Sequence, residues 1–275
     1  MCRSEIPSVE QIRAATDVLS ASDASAKVVR LGQEFAVKFG RTVSVLEGET
    51  QRFVEENTAV PVPKVFEIFS DPATGINYIV MEFIYGMTLE RIWESLQPAE
   101  TLDISRQIAT AVDELRRLPP PPYIGGVGRQ SLLNGVFWVP ENDPLISGPF
   151  QTEEEMNEGI IRRLEQTQAL SHLSLLRLLI TTTLQNHRIV FTHGDLQRKN
   201  IMVNRTGTRE DGNGIFEIKL IDWEISGWYP EYWEFCNATV AGRFRPEWLE
   251  VVQRILQIYP TEYLMMLAIR NILFY

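Results

Sequence analysis

Thr192-His193-Gly194-Asp195-Leu196-Gln197-Arg198-Lys199-Asn200-Ile201-Met202-Val203-Asn204 packs a histidine, a carboxylate and an amide into one short polar turn. The apolar run Ile189-Val190-Phe191 precedes it, and Ile201-Met202-Val203 leaves it, so the turn lies between two β-prone runs. The connector Asn204 to Gly214 is rich in Gly, Asn and Asp and reads as the tip of a hairpin whose second strand is Ile218-Lys219-Leu220-Ile221. That strand ends in Asp222-Trp223-Glu224. A hairpin of this kind brings Asn200 and Asp222 near Asp195, an arrangement suited to presenting oxygen ligands to a metal-bound phosphate.

Upstream, Val9 to Leu19 carries apolar residues at Val9, Ile12, Ala15, Val18 and Leu19, which predicts a helix with Ser8 as N-cap. Lys27 to Leu31 and Glu34 to Phe39 flank Gly32-Gln33 and read as two strands joined by a two-residue turn. Lys38 sits within the second strand, where its side chain must either reach solvent or serve a buried anion. Ser44 to Asn57 is a helix with Leu46, Thr50, Phe53 and Val54 on one face and both Glu47 and Glu49 at its border. Val60-Pro61-Val62-Pro63 enforces an extended connector. Strands Val65 to Phe69 and Ile76 to Glu82 follow around an Asp71–Gly75 turn, and the chain then runs through Met81-Glu82-Phe83-Ile84-Tyr85-Gly86.

The pattern His-Gly-Asp-x-x-x-x-Asn followed by Ile-Asp-Trp, with a strand lysine upstream, resembles the aminoglycoside phosphotransferase family of the protein-kinase-like superfamily, and its texture is similar to the fungal branch. The resemblance implies an α+β, two-lobe protein-kinase-like fold: a small β-rich N-lobe over residues 1–82 and a larger, mainly helical C-lobe over 83–275. It implies ATP and Mg2+ as cofactors and a small-molecule hydroxyl as acceptor. Asp195 would orient or accept the hydroxyl proton, and Asn200 and Asp222 would hold magnesium. Lys38 would bridge the phosphates and pair with Glu47, with Glu49 as the alternative, while main-chain groups of Glu82 and Ile84 would meet adenine. His193 would be a hydrogen-bonder that shapes the loop. Trp223-Glu224 stands where protein kinases carry Phe-Gly, which points away from that branch. The N-terminal hairpin holds a single glycine, Gly32, so a phosphate-covering glycine loop is degenerate or absent there.

Composition narrows the field. A chain of 275 residues with 44% hydrophobic content can bury a sizeable core. The formal charge of −10 argues against a nucleic-acid partner and favours a neutral or cationic acceptor over an anionic one. Cys2 and Cys236 are too few and too far apart for a disulfide framework or zinc site, which fits a reducing, cytoplasmic setting. The apolar run Tyr263 to Ile269 is stopped by Arg270, short of a bilayer span, and the N-terminus has no apolar signal region, so no membrane partner is expected. No Gly-x-Ser-x-Gly elbow or Walker P-loop occurs, which removes the triad hydrolases and P-loop enzymes. The competing class is a non-catalytic nucleotide-binding or interaction protein that kept the fold. Lys38, Asp195, Asn200 and Asp222 are all present, which favours the enzyme.

Past Gly86 the texture turns helical. Thr88 can cap a helix through Leu96, and Ile104, Ile108, Ala111, Val112 and Leu115 form an apolar stripe that Pro119–Pro122 ends. Tyr123 to Phe150 reads as a long loop, including the weak glycine motif Gly125-Gly126-Val127-Gly128, and is assigned to acceptor recognition. Glu153-Glu154-Glu155 reads as the solvated first turn of the next helix. Leu173, Leu176, Leu179, Ile180 and Leu184 mark a buried helix, and the aromatics of Gly227 to Glu234 read as core packing.

Overall fold

In the computed structural model, which describes residues 5–242 and 245–274, strands β1 (Lys27–Leu31), β2 (Phe35–Gly40), β3 (Val65–Asp71) and β4 (Ile76–Glu82) form one antiparallel sheet in the order β1-β2-β4-β3. The pleat sorts the side chains by face. Val37 pairs with Val80, and both are buried in a cluster with Ile12, Val29, Phe35 and Tyr78. Their neighbours Lys38 and Ile79 pair on the opposite face, where α2 (Val45–Asn57) packs. Ser44 caps α2 by accepting from the Leu46 amide. Gly48 lets the helix come close, because a Cβ there would lie 2.9 Å from the Ile68 side chain. Helix and strand are thereby brought together with Glu47 and Lys38 between them.

The predicted N-terminal helix is shorter than its periodicity. Helix α1 spans Val9–Ala14, closed by a Ser8/Gln11 capping box. Beyond it the chain turns extended, Val18 bridges Val29, and the Leu19 amide donates to the Val28 carbonyl at 2.8 Å. Val18 and Leu19 repeat at a helical interval, yet the free edge of β1 offers their backbone partners that a lone helix end does not. The β1–β2 connection is also longer than expected: Leu31 pairs with Phe35, so Gly32, Gln33 and Glu34 form a three-residue turn with Gly32 at φ +63°.

The larger lobe is built on β5 (Met87–Thr88), β7 (Ile201–Thr208) and β8 (Gly214–Leu220) in one sheet and β6 (Ile189–Thr192) with β9 (Gly227–Pro230) in another. The helix expected from Thr88 to Leu96 is α3 (Leu89–Ile92) running into a 3-10 turn at Trp93–Ser95. Helix α4 (Pro98–Arg116) buries its whole stripe, Ile104, Ile108, Ala111, Val112 and Leu115. The remaining helices are α5 (Pro144–Ser147), α6 (Glu153–Glu165), α7 (Leu170–Thr183), α8 (Trp233–Gly242), α9 (Pro246–Ile255) and α10 (Pro260–Phe274). Along α7, Leu173, Leu176 and Ile180 are buried, as is Leu184 just beyond it, but Leu179 is exposed. Val54, Val60 and Val62 join the large-lobe core, which seats the end of α2 against it. Among the described residues no helix is long and apolar enough to cross a membrane.

Two readings of polar segments change. Tyr123 to Phe150 is irregular and partly internal: Ile124, Leu132, Val136, Phe137 and Phe150 lie in the large core, and Gly125 bridges Trp228. None of its residues lines the cleft described below. Gly125 and Gly227 permit this packing, since a Cβ on Gly227 would stand 2.7 Å from the Gly125 carbonyl oxygen. Glu153, read as a solvated helix start, is buried and accepts from the His187 backbone N–H at 3.0 Å and holds its Nδ1 at 2.7 Å.

Candidate active site

The polar turn between β6 and β7 is held from below by groups that leave its upper face free. His193 is fully buried. Its Nε2 lies 3.0 Å from the Ile221 carbonyl, and its Nδ1 accepts from the Asp195 amide at 3.2 Å. One ring nitrogen faces a carbonyl and the other accepts from an amide, which ties the turn to the strand that ends at Asp222. The Trp223 ring packs against it at a tilt of 53°, centroids 4.6 Å apart, and holds the imidazole in place. Gly194 adopts φ +85°, and a Cβ there would lie 2.7 Å from the Ile225 carbonyl oxygen, so the turn needs glycine on both counts. The backbone amides of His193 and Gly194 point at the Glu234 carboxylate, at 2.7 Å and 3.2 Å. Ser226 Oγ donates to the His193 carbonyl, and Asn237 Nδ2 to that of Gly194.

Asp195 emerges on the other side with its carboxylate surrounded by donors. Asn200 Nδ2 donates to Oδ2 at 2.8 Å and to the Asp195 carbonyl at 2.9 Å. Gln197 Nε2 donates to Oδ1, and Lys199 Nζ lies 3.1 Å from Oδ2. The Asn200 carbonyl accepts from the Ile221 amide at 3.0 Å, which couples the turn to Asp222 in the next residue. Asp222 takes φ +70°, a left-handed conformation uncommon for a non-glycine residue.

Across the cleft, Lys38 Nζ lies 2.7 Å from the Glu47 carboxylate and 2.9 Å from Asp222 Oδ1. Burial works against the ammonium, but the carboxylates of Glu47 and Asp222 outweigh it and raise the Lys38 pKa. Burial pushes the Glu47 carboxyl up to about 7 against the pull of Lys38. Burial also opposes ionisation of Asp222, yet Lys38 brings its pKa below the ordinary value. Glu224, two residues on, is raised by burial. Glu47, Asp222 and Glu224 can each place one oxygen within 4.8 Å of the others, a hard-oxygen cluster of the kind that suits a divalent cation. Glu49, the alternative partner, is not among the groups contacting Lys38.

Lys38, Glu47, Asn200, Asp222 and Glu224 line one cleft of about 680 Å³ between the lobes, and Asp195 is joined to it through its hydrogen bond from Asn200. The hinge segment Glu82, Phe83 and Ile84 forms part of its wall. The Glu82 amide is already donated to the Lys64 carbonyl at 2.8 Å, so a base could engage that residue's backbone only through its carbonyl. The Glu82 carboxylate accepts from the Lys64 amide and from Lys219. The roof is not the β1–β2 turn with its single Gly32. It is the segment just before β1, with Leu19, Ser20, Ala21, Ala24, Ser25 and Ala26 lining the cavity. Small Ser and Ala side chains there let backbone come close to whatever fills the cleft, as glycines would.

A profile of the phosphotransferase enzyme family matches residues 18–265. The chain belongs to that family. Comparison with curated protein sequences returned no match. Among solved structures, ADP-bound aminoglycoside phosphotransferase APH(2'')-Ib superimposes with a TM-score of 0.59 at 17% identity, covering 94% of this chain and 85% of that one. A thermostable APH(4)-Ia variant in ternary complex with ADP and hygromycin B gives 0.56 at 12% identity, over 96% and 89% of the two chains. Wild-type aminoglycoside 2'-phosphotransferase-IIIa in its GDP complex gives 0.54 at 11%, over 94% and 81%. At these identities the likeness shows the fold alone: this phosphotransferase has the α+β, protein-kinase-like architecture, with a small antiparallel-sheet lobe and a helical lobe.

Several residues of this phosphotransferase site were not singled out from sequence. Glu234 and Asn237 sit in an aromatic stretch that reads as plain core, although a carboxylate between Trp233 and Phe235 is itself a sign of a buried acceptor. Gln197 and Lys199 lie inside the motif at positions the pattern leaves variable. Glu224 is adjacent to the motif, and the Leu19–Ala26 roof was hidden by the helical spacing of Val18 and Leu19.

Proposed function

We propose that this protein transfers the γ-phosphoryl group of ATP, with magnesium, to a hydroxyl of a small molecule. The observation that carries the reading is the gathering of Lys38, Asp222 and Asn200 in one cleft, with Asp195 hydrogen-bonded to Asn200 beside it and Lys38 clamped between Glu47 and Asp222 at 2.7 and 2.9 Å. Lys38, pinned by Glu47, binds the α- and β-phosphates, and the hinge at Glu82 and Ile84 meets the base. Asp222 and Asn200, with Glu224 nearby, supply oxygens that fit magnesium, which when bound neutralises phosphate charge. Asp195 orients the acceptor hydroxyl and takes its proton. His193 and Glu234 do no chemistry; they hold the turn that carries Asp195.

In this reading residues 1–82 form the nucleotide lobe and 83–275 the catalytic and acceptor lobe. The acceptor is a neutral or cationic hydroxyl compound, supported by the charge of −10 and by the hygromycin B complex of a structural neighbour. Binding is tested by thermal scans with magnesium and AMP-PNP. At 100 times the dissociation constant a ligand stabilises by about 2.7 kcal/mol, so a rise of roughly 5–10 °C is expected for a chain of this size. Lys38→Ala removes the rise. A wild-type curve unmoved by millimolar magnesium and nucleotide refutes the assignment.

A further inference from the structure

Arg198 sits in the catalytic turn between Asp195 and Asn200 and has no part in the chemistry proposed above. Its neighbours Lys199 and Asn200 line the cleft, but Arg198 does not. Its side chain turns the other way, and the guanidinium carbon lies 4.7 Å from the centre of the Trp93 ring. Arg198 is 8% exposed, its Nε is buried with no hydrogen-bond partner, and among the described residues no carboxylate stands within ion-pair distance of it. Glu90 on α3 is taken by Arg245. Arginine is rarely buried without a partner, because a charge removed from water and left unpaired costs stability. Contact with an indole face returns part of that cost. An uncharged side chain of similar length could pack on Trp93 without the cost at all, so holding the fold is a poor reason for a guanidinium here.

Trp93 is a fixed point. It opens the 3-10 turn that continues α3, and its ring stands edge-on to that of Trp248 on α9, centroids 6.3 Å apart at 81°. Trp248 is 2% exposed and belongs to the large core. In the other direction the same segment runs back through Arg91, Thr88, Met87 and Gly86, which line the cleft just beyond the hinge. The catalytic turn has less to hold it. Glu234 fastens its first half, through the amides of His193 and Gly194. Its second half is the three-residue 3-10 turn Arg198–Asn200, closed by the Asn200 amide on the Gln197 carbonyl at 2.9 Å. So short a turn has little rigidity of its own. Asn200, its last residue, donates to Asp195 Oδ2 at 2.8 Å and to the Asp195 carbonyl at 2.9 Å, so a shift of this half moves both residues.

We propose that Arg198 is a positioning residue: seated on Trp93, it fixes the second half of the catalytic turn against the segment that descends from the hinge, so that Asn200 and Asp195 keep their places relative to bound nucleotide. The inference rests on the phosphotransferase reading. Arg198 touches neither nucleotide nor acceptor and acts only through the residues on either side of it. A planar guanidinium suits the task, since it can lie flat on an indole, where a lysine ammonium on a flexible stem would not hold one orientation. The unpaired charge is then a stability cost carried for the geometry of the site.

The test compares wild type, Arg198→Met, Arg198→Lys, Trp93→Leu and the double variant Arg198→Met/Trp93→Leu. Thermal scans are run beside single-turnover transfer of the γ-label from ATP, to water or to the best acceptor of a hydroxyl panel, over a range of magnesium concentrations. Arg198→Met keeps length and packing but removes the unpaired charge, so its melting temperature stays at or above that of wild type. Its turnover nevertheless falls about tenfold or more, and the magnesium needed for half-maximal rate rises at least about threefold. Arg198→Lys, which keeps the charge and loses the plane, is as slow as Arg198→Met within about threefold. The double variant is no slower than the slower single one within about threefold, as expected of two residues that act through one contact. Arg198→Met with the turnover and magnesium dependence of wild type overturns the inference. So does a melting temperature lowered by more than about 5 °C together with additive losses in the double variant, which would make Arg198 a merely structural residue. Wild type that fails to bind nucleotide, or binds it and transfers no label, refutes the phosphotransferase reading itself, and that failure shows in the unmutated protein.

Discussion

Removing the Glu234 carboxylate should unfasten the catalytic turn and lower the stability of the whole protein together. The side chain is 2% exposed and accepts from two backbone amides, His193 N at 2.7 Å and Gly194 N at 3.2 Å. Burial pushes its carboxyl pKa up, opposed first by His193 and then by those amides. Glu234→Ala leaves both N–H groups buried and unpaired. Each such group costs ~1–3 kcal/mol, so the loss is ~2–6 kcal/mol before any cavity term. With a slope of ~2–4 °C per kcal/mol for a chain of this length, melting falls by roughly 5–20 °C. Glu234→Gln keeps the shape and one acceptor oxygen but turns an NH2 towards the amides, so it falls between. The measurement is thermal and urea unfolding of the three proteins, followed by turnover of whichever variants remain folded. The order wild type, Gln, Ala is expected in both. An alanine variant melting within about 2 °C of wild type would show that the amides find other partners and that Glu234 does not hold the turn.

Gly194→Ala meets both a left-handed φ of +85° and the Ile225 carbonyl oxygen at 2.7 Å from its new Cβ. A loss of at least ~2 kcal/mol is expected from the conformation and the overlap together, read by urea unfolding, with near-wild-type stability counting against the strained turn. Glu47 gives a pH signature. Its pKa rises from 4.5 to about 7 on folding, so between those values the folded chain holds a proton that the unfolded chain has shed. Stability is therefore lost as pH climbs through that window, by on the order of 1–3 kcal/mol for this group. Melting temperatures from pH 5 to 7.5 should show that fall in wild type and a flatter profile in Glu47→Gln; identical profiles would mean Glu47 is ionised throughout.

The parts of the fold that were legible in sequence are those where local pattern and tertiary packing agree. Strand β4 is an apolar run buried on both faces at Tyr78, Ile79 and Val80, and α4 buries the stripe that its 3.6-residue repeat marks. The readings that failed did so where the partner was distant. Val18 and Leu19 keep a helical interval, yet their backbone joins the free edge of β1, and this hid the Ser/Ala segment that roofs the cleft. Tyr123 to Phe150 runs as the irregular chain that its lack of periodicity predicts, but which of its side chains enter the core depends on distant partners such as the close backbone contact of Gly125 with Gly227. At the site, the motif spacing alone pointed to Asp195, Asn200 and Asp222, while Glu234 could not be placed, since only the fold of α8 under the turn gives that carboxylate its two amides.

The central claim is that Asp195, Asn200, Asp222 and Lys38 form a working phosphoryl-transfer centre, and the most direct measurement is label transfer. Purified protein is incubated with magnesium, γ-labelled ATP and a panel of amino sugars, amino alcohols, choline-like amines, neutral sugars and hydroxy acids, beside Asp195→Asn. The account predicts magnesium-dependent label on a neutral or cationic hydroxyl compound, with turnover about 10²–10⁴-fold lower in Asp195→Asn at nearly unchanged nucleotide affinity. Transfer by Asp195→Asn at the wild-type rate, or tight nucleotide binding with no label on any acceptor or on water, would contradict it.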